Sequence, residues 1–347
     1  LRGYRIGMSK VYFIGAGATK AVKNSAPLNK ELIKYIFTSL NHPQSQKHID
    51  ILEHFIESFF YKNQYQIYPN IEDVLSLLDY NISLKSYSAK GYSCEKFKLV
   101  RNCLVILIAL VLKESLTNLD SDLTDEFCNK LPQGSTIIST NYDIVMDNSL
   151  YINLGSVNYG IDIRSDIFPR TNSVEKDLVF RHQLPQLNKG SIRLLKLHGS
   201  LNWFYCERCD ELDISVGEKG IVDYLKDDSS DLKCVTYPRC TCRYMPLIVT
   251  PTYLKSYKNR IFEKIWIESE KSISEANELI FIGYSLSLSD TLIKCMLSNG
   301  LAKNTKRPKI TVVDKLDGST AETNFISFFG DVDYQPIGLQ AYVENME

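Results

Sequence analysis

The stretch Lys10-Val11-Tyr12-Phe13-Ile14-Gly15-Ala16-Gly17 decides the fold. Its β-branched and aromatic run is apolar without alternation, which suits a parallel strand covered on both faces. The glycines that end it allow a sharp turn toward a helix. Downstream, helical spacing of apolar residues covers 28–40, 48–60, 71–78 and 94–116. Strand signals return at 135–140 and 192–197, and strand then alternates with helix: a helix over 260–276, a strand at 278–282, a helix after Asp290 and a strand at 309–313. This alternation predicts an α/β fold on a Rossmann-type parallel sheet. Two stretches interrupt it. A mostly helical insertion occupies 28–130, and a polar, cysteine-bearing excursion without core periodicity occupies 205–245. Both are expected within a single domain spanning 8–347, with Met8 read as the natural start because Val11–Ile14 already reads as the first core strand; 1–7 hold no apolar leader. The stretch 151–186, rich in Asn, Gly, Asp and Ser, reads as loops and short strands.

Bulk properties exclude some function classes. The 347 residues carry 40 basic and 41 acidic side chains, a net charge of −1 that provides no field for nucleic acid or an anionic membrane. The longest apolar run, 103–112, is too short to span a bilayer, so a cytoplasmic protein is expected. Of nine cysteines, Cys94, Cys103, Cys128 and Cys295 are scattered and read as small apolar residues. The other five cluster between 206 and 242.

In open α/β sheets a ligand lies beyond the carboxyl ends of the strands, and here those ends are polar. Gly15, Ala16, Gly17 and Thr19 follow the first strand; the glycines permit close approach to a pyrophosphate, or serve only a structural turn. Asn141 and Asp143 follow the next strand, in Thr140-Asn141-Tyr142-Asp143. The amide of Asn141 can donate and accept, although Asn also suits a plain turn. His198 ends the third strand, in Lys196-Leu197-His198-Gly199-Ser200. Imidazole as a residue type titrates near neutrality and suits a base, and equally a histidine satisfied at a strand end. Gly283 and Ser285 follow the fourth strand, placed to approach phosphate or ribose. Asp314 follows the fifth and is placed for ribose hydroxyls, or simply begins a turn.

Taken in order, GAGAT, STNYD, KLHGS, FIGYS and VVD resemble the NAD-binding motifs of the sirtuin-like superfamily, over most of the chain from Val11 to Asp314. KLHGSLNW and FIGYSLSLSD are most similar to the bacterial sirtuin-like branch of antiviral defence, several members of which hydrolyse NAD and do not deacetylate proteins. Two departures from the protein deacetylases agree with that branch. Their Gly-Ile-Pro-Asp-Phe-Arg stretch is matched by Ser25-Ala26-Pro27-Leu28-Asn29, without the Phe-Arg. Their Phe-Gly-Glu segment, which pairs with the substrate peptide, has no match in Pro246-Leu247-Ile248-Val249-Thr250-Pro251-Thr252.

The resemblance implies that NAD is the substrate and that its nicotinamide–ribose bond is cut. Asn141 would orient water and ribose, His198 would take a proton, and Asp143 would hold the nicotinamide amide or orient Asn141. The rival readings are an NAD-dependent protein deacylase and a non-catalytic NAD or ADP-ribose sensor acting on a partner. The spacing Cys206-x2-Cys209, with Cys234, Cys240 and Cys242 following, is a knuckle pattern that suits zinc, or else marks reduced surface cysteines. Sirtuins carry a zinc module at this position; Cys206, Cys209, Cys234 and Cys240 are the expected ligands, with Cys242 as alternate. A free NAD hydrolase is toxic, so gating is expected through a homo-oligomer or a second protein, and the resemblance offers a HerA-type ring ATPase as that partner.

Overall fold

A computed structural model of the chain describes residues 9–43, 45–60, 68–84, 88–117, 119–155, 157–161, 192–206, 208, 210–214, 245–249, 259–288, 290–315 and 318–346. In chain order the strands are β1 (Lys10–Ile14), β2 (Thr136–Ser139), β3 (Arg193–Lys196), β4 (Gly199–Cys206), β5 (Glu211–Ile214), β6 (Met245–Ile248), β7 (Glu278–Ile282), β8 (Lys309–Val313) and β9 (Asp333–Gln335). The helices are α1 (Ala16–Val22), α2 (Asn29–Thr38), α3 (Gln46–Phe59), α4 (Ile71–Ser83), α5 (Cys94–Ser115), α6 (Asp122–Lys130), α7 (Val145–Leu154), α8 (Arg260–Ser274), α9 (Thr291–Lys303), α10 (Thr320–Phe329) and α11 (Gly338–Glu344). The chain divides into two compact units, one made of Leu1–Val22, Asp120–Gly199 and Tyr257–Glu347, the other of Lys23–Leu119 and Ser200–Ser256.

The first unit is an α/β Rossmann-type layer structure. Its six strands stand in the order β3-β2-β1-β7-β8-β9, all parallel. Counted among themselves along the chain, they follow the Rossmann order 3-2-1-4-5-6, with the direction of winding reversing between β1 and β7. Val11, Tyr12, Phe13 and Ile14 are all buried, so β1 is covered on both faces as its unbroken apolar run requires. Successive side chains take opposite faces. Tyr12 meets Phe127 of α6 edge-on, while Phe13 packs on Phe281 of β7, which in turn meets Phe325 and Phe329 of α10. Helices therefore cover both sides of the sheet.

The second unit centres on α5. Ser93 caps its N-terminus through the Lys96 N–H, and Asn70 does the same for α4 through the Glu72 N–H. α5 packs against α2, α3 and α4, with Phe55, Phe59, Tyr92 and Phe97 forming an aromatic cluster. No described helix is long and apolar enough to cross a membrane. The same unit holds a three-stranded sheet in the order β5-β4-β6, with β4 antiparallel to β5.

Several local expectations change. Residues 151–154 continue α7 rather than forming a loop, and 162–186 lie outside the described residues. The stretch after 205 is not coreless, because Cys206, Leu212 and Ile214 are buried with Trp203. Cys103 and Cys128 are buried as small apolar residues should be, but Cys295 is exposed. α6 clusters with the first unit, although the sequence pattern joins it to the preceding helices.

Candidate functional site

The reversal between β1 and β7 is where the two halves of the sheet part, and glycines stand on both sides of it. The Gly15 N–H donates to the Ile282 carbonyl at 3.1 Å and the Gly17 N–H to the Gly283 carbonyl at 2.9 Å. A Cβ on Gly15 would lie 2.5 Å from the Gly283 oxygen, and one on Gly17 would lie 2.8 Å from it. The turn after β1 and the turn after β7 thus pack backbone against backbone. That packing accounts for Gly15 and Gly17, and Gly283 itself sits at φ +57°. Leu286, buried in the same loop, also has a positive φ of 47°. A bulky residue in that region is strained, and such strain persists where surrounding structure holds the loop in one shape. Tyr284 donates to Asp290 at 2.8 Å and Asn324 to the Ser285 carbonyl at 3.0 Å, which supplies that hold.

Beyond β2, Asn141 is 8% exposed. Its Nδ2 donates to the Gly15 carbonyl at 3.1 Å and to Thr19 Oγ1 at 3.0 Å. A carbonyl can only accept, so Nδ2 must face Gly15, and Oδ1 is left as the acceptor. The Thr19 hydroxyl donates a hydrogen bond to Asp143 Oδ2 at 2.9 Å, while Asp143 Oδ1 accepts the Val145 N–H at 3.1 Å. Amide, hydroxyl and carboxylate therefore form one directed chain. Burial pushes the Asp143 carboxyl above the usual carboxylate range, against the opposing pull of Lys196 and of the Thr19 and Val145 hydrogen bonds.

His198, 5% exposed, lies just past β3. Its Nδ1 is 3.2 Å from the Thr140 carbonyl. That carbonyl demands a donor, so in the neutral ring Nδ1 carries the hydrogen and Nε2 the lone pair. The Tyr142 ring lies beside it, centroids 6.1 Å apart. Asn141, Asp143, Thr19 and His198 are thus brought together at the carboxyl ends of β1, β2 and β3. Thr19, Asn141, Asp143, Ser139 and Lys196 also wall a cavity of about 20 Å³. That is room for about one water and far below the ~300 Å³ of a small-molecule pocket.

Ser285 and Asp314 stand at the ends of β7 and β8. Ser285 is exposed and Asp314 half-buried. Asp314 accepts the Lys315 N–H at 2.7 Å, Ser319 Oγ at 3.3 Å and the Tyr334 hydroxyl at 3.2 Å. Ala16 is the first residue of α1 and is half-buried.

The sequence pattern passes over three residues beneath this cluster. Lys196 Nζ, 1% exposed, donates to the Asp143 carbonyl at 2.6 Å and to Asp147 Oδ2 at 2.9 Å. Tyr159 donates to Asp147 Oδ1 at 2.6 Å. A lysine set among Leu194, Leu195 and Leu197 of a buried strand is the signal that marks it.

Of the expected zinc ligands, Cys206 is buried at the end of β4, where it opposes Glu211 of β5. Cys209, Cys234, Cys240 and the alternate Cys242 lie outside the described residues. Among the described residues, no group of three His, Cys, Asp or Glu side chains could hold a metal ion.

No family model matches the chain, and no curated protein matches it. Among solved structures it is similar to a Sir2 mutant with a p53 peptide and NAD, at 14% identity and TM-score 0.38, covering 97% of this chain and 91% of that one. It is also similar to a Sir2 structure described for mechanism and regulation, at 13% identity and TM-score 0.43, covering 97% and 89%. A third is a Sir2 homologue mutant with 2'-O-acetyl ADP ribose, at 11% identity and TM-score 0.45, covering 98% and 92%.

Proposed function

We propose that this chain is a sirtuin-like NAD hydrolase, cutting the nicotinamide–ribose bond to give nicotinamide and ADP-ribose. The observation that carries the reading is the pair of oriented acceptors at neighbouring strand ends. The Asn141 amide is fixed through its Nδ2, which donates to the Gly15 carbonyl and to Thr19, itself bonded to Asp143, so that Oδ1 faces away as an acceptor; the His198 ring is tied through Nδ1 to the Thr140 carbonyl. The dinucleotide would lie along the open strand ends, its pyrophosphate over Gly15–Thr19 and its adenosine ribose toward Ser285 and Asp314. The cavity walled by Asn141 and Asp143 is too small to take it.

The reaction asks for little else. The nicotinamide ring of NAD is already cationic, so it leaves with the bonding electron pair and needs no general acid. The ribose passes through an oxocarbenium-like state, as in glycoside cleavage. Water adds at the anomeric carbon, its oxygen positioned by Asn141 Oδ1 and its proton taken by His198 Nε2. Asp143 acts through Thr19 to keep the Asn141 amide turned that way.

The finer parts of the reading rest on sequence resemblance: a role in antiviral defence by NAD depletion, gating through a homo-oligomer or a HerA-type ATPase, and zinc on Cys206, Cys209, Cys234 and Cys240. The position of Cys206 at the mouth of a β-hairpin suits a structural zinc, which would tie the hairpin together without touching the reaction. Near-stoichiometric zinc in purified protein is expected on metal analysis.

The test of function is incubation of the purified chain with NAD alone. Nicotinamide and ADP-ribose released without acylated peptide are expected. Release only with acylated peptide would establish a deacylase, and binding without release, in every oligomeric fraction, would establish a sensor.

A further inference from the structure

We propose that Lys196, Asp147 and Tyr159 are positioning residues that hold the segment between β2 and α7 in the shape the chemistry needs. The inference rests on the reading of Asn141 as the water-orienting group. Three observations carry it. Lys196 and Asp147 form an ion pair at 2.9 Å with side chains only 1% and 2% exposed. The ammonium also reaches the backbone carbonyl of Asp143 at 2.6 Å, so it grips the main chain of residues 141–144, which belong to no helix or strand. Tyr159 closes the other side of Asp147 and is itself anchored, because the Leu194 N–H donates to the Asn158 carbonyl at 2.7 Å.

A buried ion pair is a poor device for stability. Desolvating both charges costs about as much as their attraction returns, and apolar replacements of similar volume are often neutral or stabilising. Leu194, Leu195 and Leu197, all buried, show that apolar side chains are accommodated on either side of position 196. What an apolar residue at position 196 could not do is hold the Asp143 carbonyl. Asp143 holds Thr19, and Thr19 holds the Asn141 amide, so the grip on that carbonyl reaches Oδ1 through two hydrogen bonds. Displacement of a reacting group by about 1 Å can cost about 10²-fold in rate.

The test replaces these three side chains by apolar ones, in the variant Lys196→Met/Asp147→Leu/Tyr159→Phe. Expected are a Tm equal to or above wild type, kcat for NAD cleavage lower by about 10²-fold, KM within about two-fold, and faster amide hydrogen exchange at 141–145. A folded variant with wild-type kcat, or with unchanged exchange at 141–145, overturns the proposal. Should the triple variant fail to fold, Tyr159→Phe alone decides: a kcat loss of about three-fold or more at unchanged KM and Tm supports the proposal, and wild-type kcat overturns it. If wild-type protein cleaves no NAD under any condition, the functional reading fails, while the exchange measurement still decides whether the network holds the segment.

Discussion

The carboxyl ends of β2 and β3 bury their polar groups and bond them to one another, whereas those of β7 and β8 leave theirs open. Asn141, Asp143, Lys196 and His198 are all at most 8% exposed, and each bonds to a neighbouring group at these strand ends. Ser285 is exposed, and Asp314 is half-buried and held by Lys315, Ser319 and Tyr334 close by in the chain or on the next strand. The difference is one of cost. A buried polar group must be fully paired, and the low dielectric that makes an orphan expensive also makes a satisfied network stiff. A half-exposed group can exchange its partners for water or a ligand at little cost. Under the proposed function, the buried half suits a fixed transition-state geometry and the open half suits reversible binding.

The largest break in that comparison should come from Asn141→Ala and His198→Ala. Each is expected to lower NAD turnover by roughly 10²–10⁴, or about 3–5 kcal/mol of transition-state stabilisation, with NAD affinity nearly unchanged. Separate measurement of affinity and turnover checks this. Wild-type turnover in both variants would remove these residues from the reaction, and joint loss of Tm and binding in His198→Ala would make that histidine structural.

Next comes Gly17→Val, at the seam between the two halves. Its Cβ would stand 2.8 Å from the Gly283 oxygen and 2.9 Å from the Gly283 Cα, both backbone atoms that cannot swing aside. A stability loss of about 3 kcal/mol is expected, together with loss of NAD binding. Thermal denaturation distinguishes this from a pure block of the pyrophosphate, which would leave Tm at the wild-type value.

Asp143 sharpens the contrast through pH. Its folded-state pKa is raised by burial, so the folded state holds the proton more tightly than the unfolded chain. That contribution to stability is fully present below the ordinary value of 3.8 and is lost as pH rises through the higher folded-state value. Asp143→Asn should therefore flatten the fall in Tm over the range just above pH 4 (about the ordinary carboxylate value). A Tm profile identical to wild type would show that burial of this carboxyl has no such effect.

The smallest effect is expected in the open half. Asp314→Ala should weaken NAD binding by about 1 kcal/mol, several-fold in Kd, while turnover at saturating NAD stays at the wild-type rate. Calorimetric titration beside saturated kinetics reads both quantities. A large loss of saturated turnover would mean that the two halves are not divided as described.

Much of this was legible along the chain. β7 and β8 fall at 278–282 and 309–313, as their largely apolar runs predict, because a strand covered on both faces is written mostly in apolar residues. β9 carries no such mark: its three residues are all half-buried at the sheet edge. The polar strand ends at Asn141, Asp143 and His198 were visible as interruptions after apolar runs. Lys196 was visible as well, but nothing local to the sequence says that an internal lysine reaches a carbonyl 53 residues away.

What the sequence determined by itself is therefore the five buried strands β1, β2, β3, β7 and β8, the glycine-bearing turns and the residue types waiting at the strand ends. These follow from side-chain periodicity and backbone freedom, which act over a few residues. Only the tertiary structure decided which ends meet. The pairing of β1 with both β2 and β7 brings Gly15 against Gly283, 268 residues apart, and sets Asn141 over Thr19. It also decided why Gly15 and Gly17 are glycines, which is the approach of another backbone rather than local turn geometry alone. Such contacts are specified by how buried surfaces fit together, and a pattern read along one strand holds no information about the strand that will lie beside it.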